Sequence, residues 1–254
     1  MISKAKATEW LDDCGVGPFI RHIVRFIRAE MWECAALRHK FRQQNRIARY
    51  LSSPGKKKLQ IGCSTTCLPG WLNTDLEPNL PDVTYLDATR PFPFPSDSLN
   101  FVLSEHFIEH ITLDEAERCL KEIYRCLKPG GVLRLSTPSL DRYVSLFVKE
   151  HDEEQSRFLS LSRTKYGWSD ETPCLALNHL MYNWGHKHIY SRTDLLRSLG
   201  QIGFIHVTEV ELGKSDHPEL CGVEHHHEFY GEEMHRFETM AFEAEKPNSQ
   251  ENNA

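Results

Sequence analysis

Two short runs hold most of the side chains that could do chemistry. Ser104-Glu105-His106-Phe107-Ile108-Glu109-His110 sets two imidazoles four residues apart, and Gly185-His186-Lys187-His188-Ile189-Tyr190 alternates two more around a lysine. On a helix His106 and His110 share a face with Glu109 between them; in extended chain His186 and His188 face one side. Histidines and glutamates so placed suit general-base catalysis when a nucleophile must lose a proton. His106, His186 and His188 are the expected catalytic residues, with Glu109 and His110 as further candidates. The H-x-x-E-H spacing is also that of inverted zinc peptidases, but here it follows a buried strand and lacks that context, so no metal site is expected. His225, His226 and His227 with Glu224 and Glu228 form the densest histidine cluster. Its donors suit a transition metal, yet its place between two late strands predicts an exposed loop. Cys63 and Cys67 are read as space-filling or ligand-bordering thiols rather than reactive ones.

The elements that must position these groups follow from periodicity. Apolar residues at spacings of three and four predict a helix over 18–50, ended by Ser53-Pro54-Gly55. The period then changes. Lys58–Ile61, Trp71–Asp75, Val83–Leu86, Leu99–Ser104 and Val132–Ser136 read as strands, and Leu113–Leu127 as a helix that Thr112 or Asp114 could cap. Strands alternating with crossovers predict a parallel sheet covered on both faces. Residues 138–190 break the rhythm and are rich in aromatics and histidine. A helix over Arg192–Leu199, a strand over Phe204–Leu212 and a last strand over Phe237–Ala244 complete the pattern, the last two as an antiparallel edge hairpin. The expected organisation is an N-terminal helical segment over 1–54, a main domain over 55–247 with an insertion at 138–190, and a polar tail over 248–254.

Composition bounds the rest. The chain has 254 residues, 40% apolar and 26% charged, which is ordinary for a globular protein. No apolar run approaches the roughly 20 residues of a membrane span, and the N-terminus does not read as a secretory signal. Eight scattered cysteines without a second close pair read as free thiols in a reduced compartment, so a cytoplasmic location is expected. Net charge is −6, but residues 21–58 hold eleven Lys/Arg against two acids, while residues 209–251 hold twelve acids against three bases. The basic stretch reads as a solvated helical face or as a surface for something anionic. The acidic balance opposes tight nucleic-acid binding.

Open parallel sheets bind ligands beyond the carboxyl ends of their strands. There the sequence places a small turn, Gly62-Cys63-Ser64, after the first strand, Asp75 after the second, Asp87-Ala88 after the third and Ser104-Glu105 after the fourth. A glycine turn with two spaced acids suits an adenosine-bearing ligand.

The runs LQIGCSTTCLPGWLNTDLEP, LDATRPFPFPSDSLNFVLSEHFIEHI and EIYRCLKPGGVLRLSTP resemble the Rossmann-like (class I) S-adenosylmethionine-dependent methyltransferases, and within them the small bacterial type-11-like subgroup. GHKHIYSRTDLLRSLGQIGFIHV is similar to that subgroup's later segment. The resemblance implies an α/β fold with a mostly parallel seven-stranded sheet and S-adenosyl-L-methionine as cofactor. It further implies that Ile61, Gly62 and Cys63 flank the methionine moiety and that Asp75 binds the ribose with Leu76 against the adenine. Asp87 and Ala88 would meet the adenine edge, and Ser104 and Glu105 would border the transfer site. Three departures stand out. Gln60 replaces the usual acid before the glycine turn, Ser64 replaces its second glycine, and only eight residues separate Gly62 from Trp71, too few for the usual helix. The basic N-terminal helix could fold over as a lid that meets the cofactor's carboxylate.

The expected function is methyl transfer to a small-molecule acceptor, with no nucleic-acid partner and no membrane association. Tyr166, Trp168, Tyr182, Trp184 and Tyr190 of the insertion are the expected acceptor-binding residues, against the alternative that they are only its core. Two other readings stay open: an enzyme that uses the same cofactor without methylating, and a non-catalytic partner subunit that docks through its basic helix.

Overall fold

The computed structural model describes residues 43–248. The chain divides into two compact units, residues 1–46 and residues 47–254. Most of the helix expected over 18–50, with its basic face and the lid assigned to it, and the tail from 249 onward lie outside the described residues.

A helix described over residues 43–52 (α1) ends where Ser53-Pro54-Gly55 forces a turn. Seven strands then form one sheet: β1 (Lys58–Ile61), β2 (Leu72–Asp75), β3 (Thr84–Tyr85), β4 (Leu99–Glu105), β5 (Leu127–Pro138), β6 (Ile205–Val210) and β7 (Thr239–Glu245). Their order is β3-β2-β1-β4-β5-β7-β6. β1 to β5 run parallel, and β7 is antiparallel to both β5 and β6. The last two strands form the expected antiparallel hairpin at the edge, with β7 on its inner side. β7 carries buried Met240, Ala241, Phe242 and Ala244 on both faces and suits an interior position. β6, which alternates half-buried and exposed residues, takes the edge, and its pairing slips between Ile205 and Thr208.

Helix α2 (Leu113–Cys126) starts at a capping box. The Thr112 hydroxyl accepts from the Glu115 amide, and the Glu115 carboxylate accepts from the Thr112 amide at 2.8 Å. Its Ala116, Leu120 and Ile123 pack on the sheet with Leu195 and Leu199 of α6 (Arg192–Ile202), which Gly203 ends in a left-handed conformation. The insertion forms three helices, α3 (Leu140–Ser145), α4 (Glu153–Tyr166) and α5 (Pro173–Tyr182), each with a side-chain N-cap from Ser139, Asp152 or Thr172. They share a second core, built on Tyr143, Leu146, Phe158 and Leu180, with Met234 and Phe237 of α8 (Glu232–Glu238). A one-turn helix, α7 (His227–Tyr230), precedes α8.

No helix links β1 to β2; residues 62–71 form only turns. The sheet face left there is sealed by Leu68, Trp71, Phe101, Leu103 and Val132 together with Leu220 and Val223 from the loop after β6.

That loop is anchored by a buried cation. Arg134 of β5 is fully buried, and its guanidinium donates to Glu224 Oε1 at 2.6 Å and Glu243 Oε1 at 2.9 Å. It also donates to the Lys214 and Glu211 carbonyls at 2.9 and 3.1 Å. Glu224 Oε2 in turn accepts from the Gly213 amide. An Arg134→Leu substitution strands the buried Glu224 carboxylate and the half-buried Glu243, and urea denaturation should show a loss of about 3–5 kcal/mol. Adding Glu224→Gln and Glu243→Gln should restore part of it; no recovery would mean that the arginine acts by packing alone.

Candidate active site

The strand order reverses between β1 and β4, so the crevice beyond their carboxyl ends is where an open α/β sheet receives a ligand. Gly62 makes it possible. Its φ of +69° lies in the left-handed region, and a Cβ there would come within 3.0 Å of the Phe107 ring. Ser64 takes the same left-handed region at φ +48°, without glycine's freedom. The turn is held by the Cys63 amide on the Thr74 carbonyl and by the Ser64 amide on Asp75 Oδ2 at 2.8 Å. Asp75 Oδ1 accepts from the Glu77 amide at 2.9 Å, and each oxygen retains a second lone pair. Asp87 accepts from the Thr89 amide and hydroxyl and from Arg90 Nε. Burial pushes its pKa up, but the Thr89 donors and the Arg90 guanidinium outweigh this and hold it below the usual carboxylate range.

A cavity of about 450 Å³ opens from this turn. Gln60, Gly62, Cys63 and Ser64 form one end, and Glu105, His106, Glu109 and His110 form the side after β4. Tyr143, Lys165, Tyr166, His179, Trp184 and His186 come from the insertion and its exit, and His226, Tyr230 and Glu238 close it. The run after β4 is not a regular helix. His106 has φ +44°, a strained value for a side-chain-bearing residue, and Ile108–His110 form a single 3-10 turn. The Glu109 carbonyl accepts from the Lys187 and His188 amides at 2.7 and 3.2 Å, which ties the two histidine-bearing runs together.

Burial sets the electrostatics. His106 Nε2 lies 2.9 Å from Thr239 Oγ1, and its ring stacks on His226 with centroids 3.8 Å apart. Burial and neighbouring imidazoles lower the pKa of His106 to about 3, of His226 to about 2 and of His235 to about 3, so all three rings are neutral at neutral pH. Glu105 accepts from the His225 amide at 2.9 and 3.1 Å and from the His226 amide at 2.8 Å. Burial nevertheless pushes its carboxyl up to about 7. Burial raises Glu109 and lowers His110. It also pushes Cys63 up to about 12, which keeps that thiol protonated. All six described cysteines are free.

The structure brings together only part of the expected site. Gly62, Cys63, Glu105, His106, His186, Tyr166 and Trp184 line the cavity. Ile61 and Ser104 are buried in paired strands just before it, and Asp75, Leu76, Asp87 and Ala88 sit at or just past the ends of β2 and β3. His188, Trp168, Tyr182 and Tyr190 do not line it. The His188 ring packs edge-on against Tyr190, which is 1% exposed in the main core. Trp168 backs Tyr166 and His179, and Tyr182 is 77% exposed. The 225–227 cluster, expected on an exposed loop, is instead half-buried, with His226 in the cavity wall.

Tyr143, Lys165, His179 and Glu238 are lining residues that spacing alone did not single out; Glu238 had read as part of a strand. Glu238 is buried, accepts from the Tyr143 hydroxyl at 2.6 Å and is pushed up by burial to about 7 from an ordinary 4.5. Between those values the folded chain holds a proton that the unfolded chain has released, so this group's stabilisation is complete below pH 4.5 and lost as pH rises through about 7. The stability of the wild type relative to Glu238→Gln should therefore fall by on the order of 3 kcal/mol across that window. A difference that does not change with pH would show that the carboxyl titrates normally.

Residues 46–135 match the protein family described as "Methyltransferase domain". No curated protein matches the sequence closely enough to count as a relative. Among solved structures, the chain is similar to an S-adenosylmethionine-dependent methyltransferase from Thermotoga maritima described as a possible histamine N-methyltransferase. Identity is 17%, over 86% of this chain and 96% of that one, with a TM-score of 0.45. A methyltransferase from Archaeoglobus fulgidus gives 17%, 80% and 92%, with a TM-score of 0.45. Haemonchus contortus phosphoethanolamine N-methyltransferase 2, solved with S-adenosyl-L-methionine, gives 16%, 82% and 53%, with a TM-score of 0.40. Likenesses of this depth carry no argument about this chain's substrate. Residues 46–135, from within α1 through most of β5, thus carry a methyltransferase domain.

Proposed function

We propose that this protein transfers a methyl group from S-adenosyl-L-methionine to a small-molecule acceptor. The observation that supports this reading best is the cavity itself. It runs from the Gly62 turn into an aromatic and titratable enclosure of about 450 Å³, within the range of small-molecule sites. The residues at its mouth fit the cofactor. Asp75 keeps free lone pairs for ribose hydroxyls, and the Gly62 backbone allows close approach. The Gln60 side-chain carbonyl is buried in the cavity wall with no hydrogen-bond partner, an acceptor suited to an ammonium group. When bound, the cofactor supplies an electrophilic methyl on a sulfonium.

The chain's own part is alignment and exclusion of water, which an in-line displacement chiefly requires. Tyr143, Tyr166, Trp184 and Tyr230 wall the acceptor space. The Glu238 carboxyl, near 7, is matched to take up an acceptor proton at neutral pH, whereas His106, near 3, is too weakly basic. Among the described residues no helix is long and apolar enough to cross a membrane.

Calorimetric titration tests the reading. S-adenosylmethionine and S-adenosylhomocysteine should bind with roughly micromolar Kd, and Asp75→Ala should weaken both by about tenfold or more, the worth of hydrogen bonds to a charged group. A folded wild type that binds neither would exclude an independent methyltransferase.

A further inference from the structure

One cluster in the cavity is not used by methyl transfer. Glu109, His110 and His186 bring a carboxylate oxygen and two ring nitrogens within 4.8 Å of one another. His186 Nδ1 lies 2.6 Å from the Leu180 carbonyl oxygen. A carbonyl only accepts, so Nδ1 carries the proton and Nε2 keeps its lone pair. The His110 ring packs edge-on against His186, with centroids 4.9 Å apart. Glu109 is 0% exposed; its Oε2 accepts from the Thr137 hydroxyl at 3.1 Å, and its Oε1 has no hydrogen-bond partner among the described residues. His106 Nδ1 comes within 3.1 Å of Oε1, but off the line of a hydrogen bond.

A buried carboxylate oxygen with no hydrogen-bond partner thus lies beside two ring nitrogens, which is unfavourable for the protein alone. A cation resolves it. We propose that Glu109, His110 and His186 form a two-histidine, one-carboxylate site for a divalent transition-metal ion of the zinc class. Imidazole nitrogens select such ions over magnesium and calcium, which prefer oxygen donors. The His186 ring N–H resting on the Leu180 carbonyl is the outer support that metal-binding histidines take. The donor separations allow modest side-chain rotation to bring all three atoms to the ~2.0–2.2 Å of zinc bonds.

The Glu109 carbonyl's bonds to the Lys187 and His188 amides hold the two contributing segments side by side. All three ligands line the cavity, so the remaining coordination position faces the acceptor space, where the ion would acidify a bound hydroxyl or water. The H-x-x-E-H run, expected to hold no metal, is used differently from a peptidase motif: its last two residues ligate, and the third ligand comes from position 186. The inference does not depend on the methyl-transfer reading, because metal binding is measured with no methyl donor or acceptor present.

The test uses the full chain stripped with a chelator and dialysed against Zn(II) or Co(II). Bound metal is read by mass spectrometry, and Co(II) coordination by visible absorption. One equivalent per chain and a ligand-field band are expected. Affinity should fall about 100-fold or more in His186→Ala and in His110→Ala. It should be unchanged in His225→Ala/His227→Ala, which removes two histidines outside the cluster. Glu109→Gln, of nearly the same shape, should lose at least about tenfold. No binding by the wild type at micromolar metal overturns the proposal. So does binding that survives His186→Ala in a protein with native circular dichroism, or affinity unchanged by Glu109→Gln.

Discussion

A guanidinium with no access to water organises one side of this molecule. Arg134 stands in the middle of β5, where a parallel sheet normally takes an aliphatic residue, and it is tolerated only because two carboxylates and two carbonyls surround it. Glu224 is one of those carboxylates, and His225 and His226 follow it directly. The ion pair therefore fixes where the chain passes over β4, and Glu105 completes the placement by accepting both histidine amides. His226 reaches the cavity wall two residues beyond Glu224, the carboxylate that Arg134 holds. The histidine cluster and the buried arginine are parts of one arrangement.

Within the cavity the same logic of burial produces a site rich in titratable groups and poor in charge. The rings of His106, His226 and His235 are held neutral, and Glu105 and Glu238 are drawn toward neutrality at ordinary pH. Such a chamber can exchange protons or donate lone pairs at little electrostatic cost. Among the described residues of the wall, Lys165 is the one lysine or arginine.

Much of the fold was legible because each strand ends in a group that only a strand end would need. The Gly62 turn, Asp75, Asp87 and the Ser104-Glu105 pair fall where the sheet places them, and the Leu113–Cys126 helix announces itself by its cap and apolar face. The order of the last two strands was harder to read, because alternation distinguishes edge from interior only when charge is weighed against burial on both faces. The aromatics of the insertion all looked alike in sequence, yet Tyr166 and Trp184 line the cavity while Tyr190 lies in the core and Tyr182 in solvent. His226 and Glu238 enter the site through contacts with residues 121 and 95 positions away, which no local pattern contains.

The turns that replace a helix between β1 and β2 have a consequence for how the chain acquires its structure. The apolar face they leave over Phe101, Leu103 and Val132 is sealed by Leu220 and Val223, which lie far along the chain from all three. Closing it requires a long loop to form first, a slow event compared with docking of a neighbouring helix. During synthesis the parallel strands emerge with that face bare. The nascent chain is thus exposed to mispairing and to capture by chaperones until Leu220 and Val223 have left the ribosome.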